Sequence, residues 1–169
     1  YYARGVYVSS PEFVFLQMAS VLPLEHLIAL GCELCGRYIL LSDTGKYSGS
    51  MDEVAGRLYP LTSTKEIDAF LDSVGKVNGK AKAKRALKYV IDGSRSPMET
   101  MVYMLLCLPV MLGGYGLPKT EMNSIIELDE EARVIARRRY CRGDLCWPGA
   151  QLDIEYHGEV HVGEKKKKN

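Results

Sequence analysis

The stretch from Arg142 to Gly158, RGDLCWPGAQLDIEYHG, constrains the fold of this chain more than any other. Its residues alternate on either side of a Pro148-Gly149 reversal, the pattern of two β-strands with one buried and one wet face. Leu145, Trp147, Leu152, Ile154 and Tyr156 fall on one side of this ribbon. Arg142, Asp144, Cys146, Gln151, Asp153, Glu155 and His157 fall on the other. A two-residue Pro-Gly turn would splay strands of natural twist, so a four-residue loop over 147–150 is expected. Either loop sets Cys146 opposite Gln151, Asp144 opposite Asp153 and Arg142 opposite Glu155. A one-residue slip would drive the carboxylates into the core, so the parity is firm.

That register crowds Asp144, Asp153 and Glu155 onto one patch of one face. Like charges directly opposite destabilise a strand pair by ~0.2–1 kcal/mol each, so a cation is expected to relieve them. Arg142 can do so by pairing with Glu155. A hard divalent ion such as Mg²⁺ is the second candidate, since it takes carboxylate oxygens and keeps several waters for chemistry.

Upstream, Arg95-Ser96-Pro97-Met98-Glu99 opens a long apolar helix. Arg142-Gly143-Asp144 follows, then Trp147-Pro148, then Leu152-Asp153-Ile154-Glu155-Tyr156-His157-Gly158 and His161. This ordered set, over residues 93–163, resembles the PD-(D/E)XK restriction-endonuclease-like superfamily. Within it the set is most similar to uncharacterised bacterial proteins related to the very-short-patch-repair endonucleases. The resemblance implies a helix followed by three strands, with strand carboxylates holding a metal that activates water against a phosphodiester. It implies Asp144 and Glu155 as Mg²⁺ ligands, with the Tyr156 carbonyl as a further one. Glu99 matches a helix glutamate that holds a metal-bound water; equally, Ser96-Pro-Met-Glu99 is a capping box that explains Glu99 by helix chemistry alone. His157 stands where many members carry a lysine, and a histidine there can act as base or acid near neutral pH. His161 can face the same site or lie in a loop.

At 169 residues the chain is long enough for one ordinary core, or for a small domain with a helical appendage. The net charge of +1 gives no global signature for nucleic acid, but the charge is uneven. Residues 76–88 hold six basic side chains and no acidic one, 133–142 hold five, and 165–168 are four lysines in a row. The opening on Tyr1-Tyr2 and the stop soon after Gly163 suggest a fragment, one lacking the last helix and strand of the family core. No signal peptide is evident and the longest apolar window, 101–112, is too short to span a bilayer, so a soluble cytoplasmic protein without a membrane partner is expected. Five cysteines suit no disulfide framework. The Cys32-Glu-Leu-Cys35 spacing has a zinc or redox reading, and a plainer one as reduced thiols on a helix face.

Along the chain, the pattern predicts a strand over 4–9, a helix from Pro11 and a second from Leu24. A short strand over 38–41 and a loop over 42–56 follow. Ser63-Thr-Lys-Glu66 is a capping box for a third helix, and 80–91 form a fourth with a basic side. That side reads either as a solvated face or as a surface tracking DNA phosphates. Asp92-Gly93-Ser94 is the expected boundary, dividing a mostly helical segment (1–92) from a nuclease-like core (93–169). In the core, a buried helix over 97–112 precedes strands over 122–128 and 137–147, joined by an acidic turn at 129–131. The expectation is therefore a mixed α/β (α+β) protein, a helical segment followed by a truncated restriction-endonuclease-like core. Its expected activity is Mg²⁺-dependent hydrolysis of DNA, with Glu99, Asp144, Glu155, His157 and His161 at the site. The rival is a non-catalytic DNA-binding or antitoxin-like regulator on an inactivated nuclease fold.

Overall fold

The computed structural model describes Gly5 and residues 7–40, 47–48 and 60–157. It divides into two compact units, Tyr1–Pro118 and Lys119–Asn169. Helices together with an antiparallel three-stranded sheet make the mixed α/β class read from the sequence.

Among the described residues the first unit is built from five helices whose ends are written in the sequence. Ser10 accepts the Phe13 amide and Pro11 fills the first turn of α1 (Pro11–Met18), where a missing N–H is harmless. Pro23 precedes α2 (Leu24–Leu34). Ser63 accepts the Glu66 amide at 3.2 Å and donates to the Glu66 carboxylate at 2.9 Å, which starts α3 (Thr64–Ser73). Gly79, at φ 83°, leads into α4 (Lys80–Leu87), and Ser96 caps α5 (Pro97–Cys107). The fourth helix ends earlier than the expected residue 91, because the Tyr89 and Val90 amides turn back to the Ala86 and Leu87 carbonyls. Pro109, which has no N–H to donate, ends the apolar run of α5 in a short 3₁₀ turn, Val110–Leu112.

Helix α2 is the centre of this unit, packed by α1, α4 and α5. Phe15, Leu27, Ile28, Ile67, Leu71 and Val90 are sealed from solvent around it. A Cβ on Gly31 would lie 2.5 Å from Val90 and 2.9 Å from Phe15, so this close approach requires a glycine in the helix. Cys32 and Cys35 are buried in the same core. Burial first, and then the nearby Asp92 charge, push the Cys35 thiol well above its ordinary value.

The boundary expected at Asp92-Gly93-Ser94 is corrected by the backbone there. Gly93 N–H donates to the Cys35 carbonyl at 3.1 Å and Arg37 N–H to the Ser94 carbonyl at 2.6 Å. The Tyr38 and Thr100 hydroxyls are 3.2 Å apart, and Tyr103 Oη donates to the Tyr89 carbonyl at 2.8 Å. These bonds tie α5 and the segment before it to the ends of α2 and α4, so α5 belongs to the helical unit and the division falls after Pro118. The expected strand at 4–9 lies partly outside the described residues, and Tyr7, Val8 and Ser9 are irregular. The expected loop after residue 41 contains a strand: β1 (Ile39–Leu40) pairs antiparallel with β2 (Tyr47–Ser48). The remainder of 42–56 lies outside the described residues.

The second unit runs β3 (Glu121–Glu127), α6 (Glu130–Ala136), β4 (Tyr140–Trp147) and β5 (Leu152–Ile154), with sheet order β3-β4-β5. Residues 129–131 are not a turn but the start of a helix. Asp129 accepts the Ala132 amide at 2.8 Å, and Glu130 and Glu131 sit at the positive end of the helix dipole. Leu145, Cys146 and Trp147 form the buried floor of this unit, and Thr120 Oγ1 donates to the Cys146 carbonyl at 2.6 Å. Among the described residues no helix is long and apolar enough to cross a membrane.

Candidate functional site

The expected ribbon forms, but its register is two residues away from the one drawn from the turn. Trp147 pairs with Leu152, Cys146 with Asp153 and Leu145 with Ile154. The loop holds residues 148–151: Pro148–Ala150 make a 3₁₀ turn and Gln151 closes it in the left-handed region at φ 50°. Gln151 is therefore not opposite Cys146, Asp153 is not opposite Asp144, and Arg142 pairs with Ile125 of β3 rather than with Glu155. Parity survives, so Leu145, Trp147 and Ile154 keep their relation across the ladder.

Strict alternation does not survive. The β3–β4 ladder runs from Glu121↔Cys146 to Glu127↔Tyr140 but skips the position where Asn123 would face Asp144. Asn123 is at φ 53°, a conformation asparagine tolerates better than most residues. A Cβ on Gly143 would lie 2.3 Å from Asp153 Oδ1 and 2.5 Å from Cys146 Sγ. Residues 143 and 146 thus lean to the same side, which a regular strand of period two forbids. Glycine is what lets the Asp153 carboxylate lie across β4.

The three carboxylates consequently part company. Asp153 Oδ1 accepts the Cys146 thiol at 3.2 Å. Burial, then that hydrogen bond and the Asp153 charge, push the thiol up to about 11. Asp144 is half-buried, and its Oδ2 accepts the Tyr156 amide at 2.8 Å. Extending the ladder by one pair beyond Leu145↔Ile154 would put Asp144 across from Glu155. Glu155 and His157 are exposed, and Tyr156 is half-buried. His161 lies outside the described residues.

Glu99 lies in the first unit, buried at the start of α5. Its amide donates to Ser96 Oγ at 3.1 Å, and its Oε2 accepts the Arg95 amide at 2.9 Å. The Ser96 bond is the N-cap of α5, while the Glu99 carboxylate reaches back to the amide of the residue before that cap. In the basic helix, Lys80 Nζ donates to the Val74 carbonyl and Lys82 Nζ to the Leu22 carbonyl. Lys84 bridges Asp68 and Asp72 at 2.7 Å each. Three of its cations are thus tied to the protein itself, as a structural face would be.

Around Asp144 the side-chain contact seen is the Tyr156 amide, which donates to one carboxylate oxygen. Among the described residues no three His, Cys, Asp or Glu side chains converge as a metal cluster. Sequence reasoning missed the Gly143–Cys146–Asp153 cluster, whose one signal was a glycine inside an otherwise alternating strand. Comparison of this chain with protein-family models, with curated proteins and with solved structures found no match.

Proposed function

We propose that the second unit carries a Mg²⁺-dependent phosphodiesterase site of the restriction-endonuclease-like kind, acting on DNA. The observation that supports it most is the Tyr156 amide donated to Asp144, which draws the end of β5 onto the β4 aspartate. Asp144 and Glu155 would be the carboxylate ligands, and the Tyr156 carbonyl the third. When bound, the cation lowers the pKa of a coordinated water and offsets charge growing on the phosphate. Asp144 is positioned by its backbone hydrogen bond, so its geometry is held before any cation arrives. His157, exposed beside Tyr156, would exchange a proton with water or a leaving oxygen. Glu99 is assigned to the start of α5, not to the reaction.

The test is nicking of supercoiled plasmid by the full chain in Mg²⁺ and in EDTA. Asp144→Asn is the decisive variant, because its amide oxygen can still accept the Tyr156 amide while the charge is gone. Cutting that needs Mg²⁺ and disappears in D144N and E155Q supports the reading. Plasmid that is bound equally with and without Mg²⁺ but never cut would overturn it in favour of a non-catalytic DNA-binding protein.

A further inference from the structure

The tip of the β3–α6–β4 arm presents side chains that its own packing does not use. Ile125, Glu127, Arg133, Arg139 and Tyr140 line a cleft of about 310 Å³ between α6 and the outer side of the strands. Ile125 pairs with Arg142 and Glu127 with Tyr140, so these four side chains share one face at the arm's end. Tyr140 is 55% exposed and Ile125 61% exposed, an aromatic and an aliphatic surface open to solvent. Among the described residues neither Arg133 nor Arg139 takes part in an ion pair. Five arginines and no acidic residue fall within 133–142. Arg137 even occupies the left-handed C-cap of α6 at φ 54°, a position where glycine would be free of strain.

We propose that this cleft binds a nucleotide unit of single-stranded nucleic acid, with Arg133 and Arg139 on the phosphates and the base on Tyr140. Guanidinium forks match phosphate oxygens in pairs, and an exposed phenol ring offers the stacking platform that a sequence-tolerant site needs. Ile125 supplies the apolar floor beside the ring. Glu127, directly across from Tyr140 at the end of the ladder, repels phosphate from the ring and leaves the arginines to hold the backbone. A duplex keeps its bases stacked on one another, so this cleft selects unpaired strands. The inference does not need the cation site, since no residue of the cleft belongs to it.

The experiment is fluorescence anisotropy of a labelled oligothymidylate with the full chain in EDTA, where the cation site is silent. Wild-type protein should bind the single strand more tightly than a duplex of equal length. Tyr140→Ala should weaken binding at least several-fold, since base–aromatic stacking is worth about 1–3 kcal/mol per base. Tyr140→Phe should restore it. Removing both arginines (R133A/R139A) should also flatten the salt dependence, by about 0.7 per lost single-strand phosphate contact. Near-ultraviolet circular dichroism of each variant establishes that the arm is still folded. Binding unmoved by Y140A and by R133A/R139A overturns the proposal. So does equal affinity for heparin, which would reduce the cleft to general attraction for polyanions. Loss of nicking with retained anisotropy would overturn the hydrolytic reading alone.

Discussion

Gly143→Ala is the substitution that most directly tests how the ribbon is built. The added methyl would sit 2.3 Å from Asp153 Oδ1, 2.5 Å from Asp153 Cγ and 2.5 Å from Cys146 Sγ, all well inside van der Waals contact. Asp153 is short and half-buried, so it relieves the overlap only by swinging off the Cys146 thiol. Overpacking of this kind costs ~1–3 kcal/mol, and the lost hydrogen bond adds about 0.5–1.5 kcal/mol. With a urea m-value of ~1–3 kcal/mol/M, the midpoint should fall by roughly 0.5 M or more. The chain's one tryptophan, Trp147, is buried in β4, so its fluorescence follows the second unit separately from the helices. The double variant G143A/D153A removes two of the three clashing atoms and should recover at least half of the loss seen against D153A alone. Such coupling identifies a direct contact. A G143A protein as stable as the wild type, or a double variant with purely additive losses, would refute the placement of Asp153 across β4.

Other outcomes follow from the same geometry. Alkylation under native conditions should label Cys107 and Cys141, which are half-exposed, before Cys32, Cys35 and Cys146, which are buried; peptide mass spectrometry reads the order. Above pH 9 stability should decline, because the Cys146 thiol is held at about 11 and so keeps its proton in the fold while the unfolded chain releases it. Tyr38 adds to the same loss at higher pH, burial raising its phenol to about 12, and alkaline unfolding curves monitor both. Ser96→Ala removes the cap of α5 and should cost about 1 kcal/mol by thermal unfolding, with helical circular dichroism otherwise intact. Gly31→Ala should be worse, since Val90 and Phe15 stand in the way of the methyl and both are fully buried.

Much of the helical unit was legible from local chemistry. Ser10-Pro11, Ser63 to Glu66 and Ser96 to Glu99 each announce a helix start through groups within four residues of one another, and each forms. Where α5 packs was not legible. Its apolar residues allow burial against helices as readily as against a sheet, and the bonds that settle it join residues as far apart as Tyr38 and Thr100. The helix at Glu130–Ala136 was missed because its acidic start looks like a surface turn. Its apolar residues Val134 and Ile135 are exposed, so no amphipathic stripe marked it.

The strand register shows the same limit more sharply. Alternation alone specifies which side of a sheet a residue faces, and that parity held from Leu145 to Ile154. It cannot separate registers that differ by two, since both bury the same set. The choice falls to the loop, where Gln151 adopts φ 50° and the four-residue connection spans 148–151 instead of 147–150. The shift of two has a chemical consequence. In the register drawn from the turn, Asp144 and Asp153 would repel one another across the ladder. In the observed one Asp153 meets a neutral thiol, and Asp144 is turned toward the end of β5. The skipped pair at Asn123 is what permits that turn: a regular β3 would hold Asp144 in the ladder with its side chain upright. Asn123 therefore leaves a gap in the β3–β4 ladder beside Asp144.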